Sequence, residues 1–406
     1  MTNWLPAASA DLFQLAVDGM IRDHGGPGSL GQFIVRFEHA VDLARLRAGL
    51  ARLARRHPLL LATPARRRAW PGWRLRLGRT AEMEQAASAE TVAAQHLHSV
   101  QSDLLRLAVA PRAVVCTFDH RRIDARGAAL MLAALDQPAT PRDLASDPTF
   151  RELAGLPPGA AALGCLARTL LPALRPLRQS PPWRPPLGAA APLQFADGIL
   201  AGTALARVTA RQTAMVGRFG ETAFLMGAWA RVLDRHGAAG RLQVHALAMD
   251  DRRPGEAVLA ANRHSLALLG LAAGARGELA SAAKAAAAAQ RAWLSAGADR
   301  AMAAALRFTP FLSQRLVRAQ LGDFHGGLSA STLIANSGVM RLPTNWLGGT
   351  VLGIDHRATL PHRPGLALFT SRDPRGWCLT VGRAGATSGW PSAARLLSDL
   401  LAELDP

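Results

Sequence analysis

Val114-Val115-Cys116-Thr117-Phe118-Asp119-His120-Arg121-Arg122-Ile123-Asp124-Ala125-Arg126-Gly127 is an apolar run that breaks into a polar turn, and the chain re-emerges as the helix-forming stretch Ala128-Ala129-Leu130-Met131-Leu132-Ala133-Ala134-Leu135. The alternating apolar residues predict a strand over 112–118, a loop over 119–125 and a helix over 126–135. A strand that ends in Asp-His, with a second Asp four residues beyond the imidazole, can hold one histidine at the mouth of a cleft. Strand ends fix side chains firmly, and loops on a rigid scaffold commonly carry chemistry.

Working outward, Ser9–Asp23 places Leu12, Leu15, Val17, Met20 and Ile21 near helical spacing behind the cap residues Ser9 and Asp11. Gln32–Glu38 alternates as a strand, and a helix from Asp42 turns Leu43, Leu46, Leu50 and Leu53 to one face before Pro58 stops it. A further strand is predicted over Trp70–Leu77. From Gly164 to Leu193 prolines recur densely, which makes a stiff spacer. A domain boundary is expected there, dividing the chain into residues 1–184 and 185–406. The apolar piece Gly164–Leu174 within it could touch a membrane surface or pack on the domain. Beyond the spacer, Ala210–Gly237 reads as largely helical, Leu242–Met249 and Ser265–Leu269 as strands, and Arg276–Ser295 and Arg300–Leu321 as helices. Strands recur at Leu333–Ala335, Val351–Ile354, Leu366–Thr370 and Trp377–Val381, and Ser392–Leu404 closes the chain as a helix.

Asp119-His120-Arg121-Arg122-Ile123-Asp124-Ala125 resembles the His-His-x-x-x-Asp-Gly motif of the acyltransferase superfamily that includes nonribosomal-peptide condensation domains, wax-ester synthases and chloramphenicol acetyltransferase. The second His and the Asp are present as His120 and Asp124, whereas Asp119 stands at the first His and Ala125 at the Gly. Arg56-His57-Pro58-Leu59-Leu60 resembles the Arg-His-x-x-Leu element, although His57 reads as a helix C-terminal residue favoured by the dipole. Ala248-Met249-Asp250-Asp251-Arg252 resembles Pro-Val-x-x-Arg, Ala261-Asn262-Arg263 the Gly-Asn element, and Ala335-Asn336-Ser337-Gly338 the Ser-Asn-x-Gly turn. The strands about Arg372–Gly376 resemble the final family hairpin.

The resemblance implies an α/β (α+β) fold: two chloramphenicol-acetyltransferase-like domains form a V with a central tunnel. It casts His120 as general base and Asp124 as a loop brace paired with Arg252. Such a pairing is physically sensible, because a buried carboxylate needs a cation. Asn336 and Ser337 are possible substrate-binding residues. Asp119 leaves three alternatives open: it raises the pKa of His120, it attracts a cationic amine acceptor, or it points away and satisfies backbone donors. The expected substrates are an acyl-CoA or a phosphopantetheinyl carrier-protein thioester and a small-molecule hydroxyl or amine acceptor, with no tightly bound cofactor. The alternative is a catalytically degenerate relative that binds a carrier or partner without turnover.

Composition narrows the classes. An apolar share of 49% in 406 residues is globular rather than disordered. Cys116, Cys165 and Cys378 are too few and scattered for a disulfide framework or a metal site, and read as buried thiols. His264, His325, His356 and His362 show no metal-ligand spacing, so no metal is expected. The Gly-Gly pairs read as loops, and no nucleophile elbow, P-loop or dinucleotide fingerprint is present. Neither a signal peptide nor a membrane-spanning run is visible, so a cytoplasmic monomer is expected, with peripheral membrane contact possible. The net charge of +18 is carried by arginine, Lys284 being the sole lysine. High-GC coding accounts for part of that bias, and the resulting field attracts anions. Arginines without interleaved aromatics, and no tyrosine at all, argue against nucleic acid. An acidic acyl or peptidyl carrier protein, or the phosphates of coenzyme A, fits better.

Overall fold

The structure is a computed structural model. It describes residues 4–7, 9–56, 62–67, 70–74, 83–99, 104–136, 182–186, 193–250, 262, 264–306, 330–340, 342–361, 364–385 and 389–406, with isolated positions between 164 and 174. His57, Cys165, Arg252, His325 and His362 lie outside the described residues, as does most of the proline-rich spacer.

Among the described residues, two six-stranded sheets and one three-stranded sheet make up the β structure. In the first large sheet the order is β12 (Asn345–Trp346), β13 (Gly349–Ala358), β2 (Leu30–Phe37), β7 (Ala113–Asp119), β6 (Leu105–Ala110) and β5 (Met83–Gln85). In the second it is β10 (His264–Leu271), β9 (Gln243–Asp250), β11 (Thr332–Val339), β14 (Leu366–Asp373), β15 (Gly376–Arg383) and β8 (Gln194–Leu200). There β11 runs parallel to both neighbours. The small sheet joins β1 (Trp4–Pro6), β4 (Trp70–Arg74) and β3 (Thr63–Arg67). The sheets do not part at a single point in the chain: β12 and β13, from the late sequence, pair on to β2 and complete the sheet of the N-terminal half.

The alternation in β2 sorts its side chains into two cores. Phe33, Val35 and Phe37 pack under α2 (Leu43–Arg56) and α4 (Ala125–Asp136), among Leu46, Leu50, Leu53, Met131 and Leu132. Ile34 faces the other way, with Val115, against α3 (Ala89–His98). The strand is therefore buried on both faces, because helices cover both sides of the sheet.

In the second half, one predicted helical stretch over 210–237 is two helices. The first, α5 (Gly202–Val216), starts before it, and α6 (Glu221–Leu233) follows a break at Gly217, whose φ of 79° stops α5. Nearly every residue of α6 from Ala223 to Leu233 is buried, as a helix apolar all round must be. It packs on the alanine face of α7 (Leu279–Ser295). A Cβ at Gly227 would lie 2.6 Å from the backbone nitrogen of Ala283, so glycine is what permits this approach. The remaining helices are α1 (Ser9–Asp23), α8 (Ala298–Leu306) and α9 (Ala393–Leu404). In α9, Leu396, Leu397 and Leu400 close the core over β8 and β15. No helix among the described residues is long and apolar enough to cross a membrane, and Cys116 and Cys378 are buried free thiols.

His245 on β9 is buried in this core with neither ring nitrogen hydrogen-bonded. Burial, reinforced by the Arg276 cation, pushes its pKa from 6.5 down to about 3. The folded value lies below the unfolded one, so the unfolded chain takes up the extra proton. The neutral ring's contribution is complete above about pH 6.5 and is lost as pH falls toward about 3. His245→Leu is expected to flatten the acid limb of stability by up to about 1.4 kcal/mol per pH unit in that window, read by urea unfolding across it. An unchanged limb would contradict this account of the ring.

Candidate active site

The strand β7 ends on a carboxylate with no exposure to solvent. Asp119 accepts from Arg121 Nε and Nη2, both at 2.7 Å, and from Arg122 Nε at 3.0 Å and Nη2 at 2.9 Å. Burial pushes its pKa up, but the Arg122 and Arg121 cations overcome this and hold it below the usual carboxylate range. Both arginines are engaged further. Arg121 Nη1 lies 3.7 Å from Asp18 on α1, while Arg122 Nη1 donates to the Ala62 carbonyl and its guanidinium lies over the Trp73 ring. The turn closes with Arg122 and Ile123 N–H groups donating to the Asp119 carbonyl. Ile123 is an anchor in the core, and Asp124 caps α4, accepting from Gly127 N–H at 2.7 Å.

Within this turn, His120 goes to the opposite side from Asp119 and lines a cavity between the two halves. Its backbone is held at both ends: the N–H donates to the Ser29 carbonyl at 3.0 Å, and the carbonyl accepts from Asn262 Nδ2 at 3.1 Å. Asn262 also donates to Asp11 on α1 at 2.9 Å, so a residue from the second half clamps the loop of the first. Burial pushes the His120 pKa below its ordinary value, against the opposing pull of its own backbone, Asp124 and Asp119. A neutral imidazole results, and its Nδ1 is buried without a hydrogen-bond partner.

The cavity encloses about 1180 Å³ of empty space, counting its open mouths. Two more histidines share it. The His264 ring meets that of His120 edge-on, with centroids 5.5 Å apart and planes at 74°. Its Nε2 lies 2.9 Å from Gln14 Nε2, and Gln14 Oε1 accepts from the Ser29 hydroxyl at 3.0 Å. On the other side His356 lies between Phe33 and Phe369, with Ser337 Oγ 3.1 Å from its Nδ1. Burial and the neighbouring His120 push the His356 pKa down to about 3, so it too is neutral. At the rim Arg126 pairs with Asp250 across the two halves at 3.4 Å.

The structure thus gathers His120, Asp124, Asn336 and Ser337 around one cavity. Asn336 is committed elsewhere as well, donating to Glu221 Oε1 and Thr222 Oγ1 at the start of α6. Asp119 is not in the cavity wall. Of its three readings, pointing away describes the geometry, with arginine side chains as the main partners beside the Arg121 N–H, while its charge also pulls the His120 pKa upward without overcoming burial. The expected mate of Asp124, Arg252, lies outside the described residues. Gln14, Ser29, His264 and His356 join the site although nothing in their local sequence marks them, because they come from α1, the loop before β2, β10 and β13. No group of three metal-ligating side chains with metal-binding geometry occurs among the described residues.

Removing the Asp119 charge would leave the buried Arg121 and Arg122 guanidiniums without their shared counter-charge, with Asp18 still 3.7 Å from Arg121. Asp119→Asn is expected to destabilise by about 3–5 kcal/mol, measured by urea unfolding. Asp119→His, which puts a neutral or cationic ring beside the two arginines, is expected to destabilise as well. A stable Asp119→His variant would contradict the assignment of Asp119 to the arginines.

No protein-family profile matches the sequence, and no curated protein matches it. Solved structures do match in fold. The first condensation domain of the calcium-dependent antibiotic synthetase shares 16% identity over 99% of this chain and 95% of that chain, with a TM-score of 0.73. Trichothecene 15-O-acetyltransferase from Fusarium sporotrichioides shares 13% over 98% of this chain and 94% of its own, with a TM-score of 0.70. The starter condensation domain of rhizomide synthetase, a mutant in complex with C8-CoA and Leu-SNAC, shares 15% over 99% and 93%, with a TM-score of 0.66. The chain has the fold of these condensation domains and of this acetyltransferase.

Proposed function

We propose that this protein transfers an acyl group from a coenzyme A or carrier-protein thioester to a hydroxyl or amine acceptor, with His120 as general base. The observation that carries this reading is one neutral imidazole, clamped at its backbone from both halves and open to the cavity between them. The acceptor gives its proton to His120 as its oxygen or nitrogen attacks the thioester carbonyl. The tetrahedral oxyanion then collapses, and the departing thiolate takes the proton back from the imidazolium. A neutral His356 that donates from Nδ1 to Ser337 Oγ leaves the serine hydroxyl proton free for the oxyanion. Asp124 keeps the loop on α4, with Arg252 as its proposed cationic mate.

Trichothecene acetyltransferase and the rhizomide domain crystallised with C8-CoA support thioester-dependent acyl transfer as the class of reaction. The halves 1–184 and 185–406 act in this reading as two acyltransferase-like domains, with β12 and β13 lent across. The positive charge favours an acidic carrier or the coenzyme's phosphates. The alternative of binding without turnover draws on the altered motif, but Asp119 lies outside the cavity wall, and its upward pull on the His120 pKa does not overcome the effect of burial.

Thiol release from octanoyl-CoA, tested with a panel of alcohols and amines, is expected to fall about 10²–10⁴-fold in His120→Ala. Equal turnover in the variant would overturn the role of His120, and tight binding without turnover by the unaltered chain would favour the degenerate alternative. Because His264 seats the catalytic ring by its edge, His264→Ala is expected to lower turnover about tenfold or more. His264→Phe, which keeps that edge, is expected to retain most of it. The reverse order would contradict positioning by ring contact.

A further inference from the structure

We infer that the acyl group this cavity takes is an uncharged aliphatic chain rather than an aminoacyl or carboxylated one; this rests on the acyltransferase reading above. His120 stands between two apolar walls. On one side its ring touches His264, whose ring meets Phe13 at 6.2 Å, and Val17 and Leu266 continue that wall. On the other, His356 meets Phe369 at 5.4 Å, and Leu333 and Leu366 line the wall beyond it.

Apart from the His120 ring itself, the polar side chains between these walls are hydrogen-bonded or ion-paired within the protein. Ser29, Gln14 and His264 are joined in one chain of hydrogen bonds, and Ser337 is joined to His356. Asn336 is held by Glu221 and Thr222, and the Thr359 hydroxyl donates to the Gly28 carbonyl at 2.8 Å. The carboxylates among the described lining residues are Asp124 and Asp250. Asp124 serves the start of α4, and Asp250 is matched by Arg126, the one described lining arginine. An ammonium on the acyl group would therefore meet no spare carboxylate among the described residues, and a carboxylate would meet no spare cation. A charge buried without a partner is strongly disfavoured, whereas each methylene laid on these walls favours binding.

The test is calorimetric binding of non-hydrolysable amide analogues of acyl-pantetheine to the full chain. Affinity is expected to rise roughly fourfold per methylene from butanoyl to octanoyl. The leucyl and succinyl analogues are expected to bind at least about a hundredfold more weakly than octanoyl. Leucyl or succinyl binding within about tenfold of octanoyl, with all of them tighter than bare pantetheine, would overturn this inference and leave the acyltransferase reading standing. If neither pantetheine nor any analogue binds, the acyltransferase reading fails and takes this inference with it. Leu266→Asp places a carboxylate in the first wall and is expected to weaken octanoyl and strengthen leucyl binding, in protein shown by thermal unfolding to remain folded. An unchanged preference in that folded variant would also overturn the inference.

Discussion

A carboxylate buried away from water needs cations or hydrogen-bond donors around it, and at the end of β7 this constraint sets the geometry of the loop that follows. Asp119 draws the Arg121 and Arg122 guanidiniums back onto itself, which forces the turn between them. The residue between carboxylate and cations, His120, is left on the other side of the chain, facing the cavity. Its surroundings then follow from what meets that face: Ser29 and Gln14 from the first half, and Asn262 and His264 from the second. The anchor of this loop, Asp119 with its two arginines, thus lies outside the cavity wall.

One wall of the cavity rests on a strand that comes late in the sequence and joins the first large sheet. The strand β13 belongs by sequence to the second half and by pairing to the first sheet. Asp355 on it is bound by Arg36 of β2 at 2.7 Å and by Arg375 of the β14–β15 hairpin at 2.9 Å. Arg375 also holds Asp373, which accepts from Ile354 N–H at 2.6 Å. Gly353 has no Cβ where the Arg375 side chain crosses the strand. Just past the end of β13, Thr359 accepts from Leu30 N–H at 2.7 Å. Since His356 sits on the same strand, the joint between the halves and one wall of the cavity are a single piece of structure.

Local elements were the legible part of the sequence. The strand, loop and helix around His120 follow from an apolar run, a polar turn and a helix-forming stretch. The first helix, the closing helix and the final hairpin follow from periodicity. What could not be read were relations between distant segments. The sheet that β13 would join is invisible in its own residues. His264 and His356 look like scattered histidines until pairing of the strands brings them to one cavity. The direction of Asp119 stayed open because both neighbours that claim it are ordinary arginines in a chain rich in them. Short elements such as α3 and β5 carry too weak a pattern to be seen, and the break at Gly217 divides what reads as one helix.

The central claim is that His120 is a neutral base facing a cavity where an acyl group is received. It is tested most directly by NMR titration of the His120 imidazole in the full chain, assigned with His120→Gln. The account requires a midpoint below the ordinary value of 6.5 and a resonance that moves when an octanoyl-pantetheine amide fills the cavity. A midpoint at or above that value, with a resonance indifferent to the analogue, would contradict it.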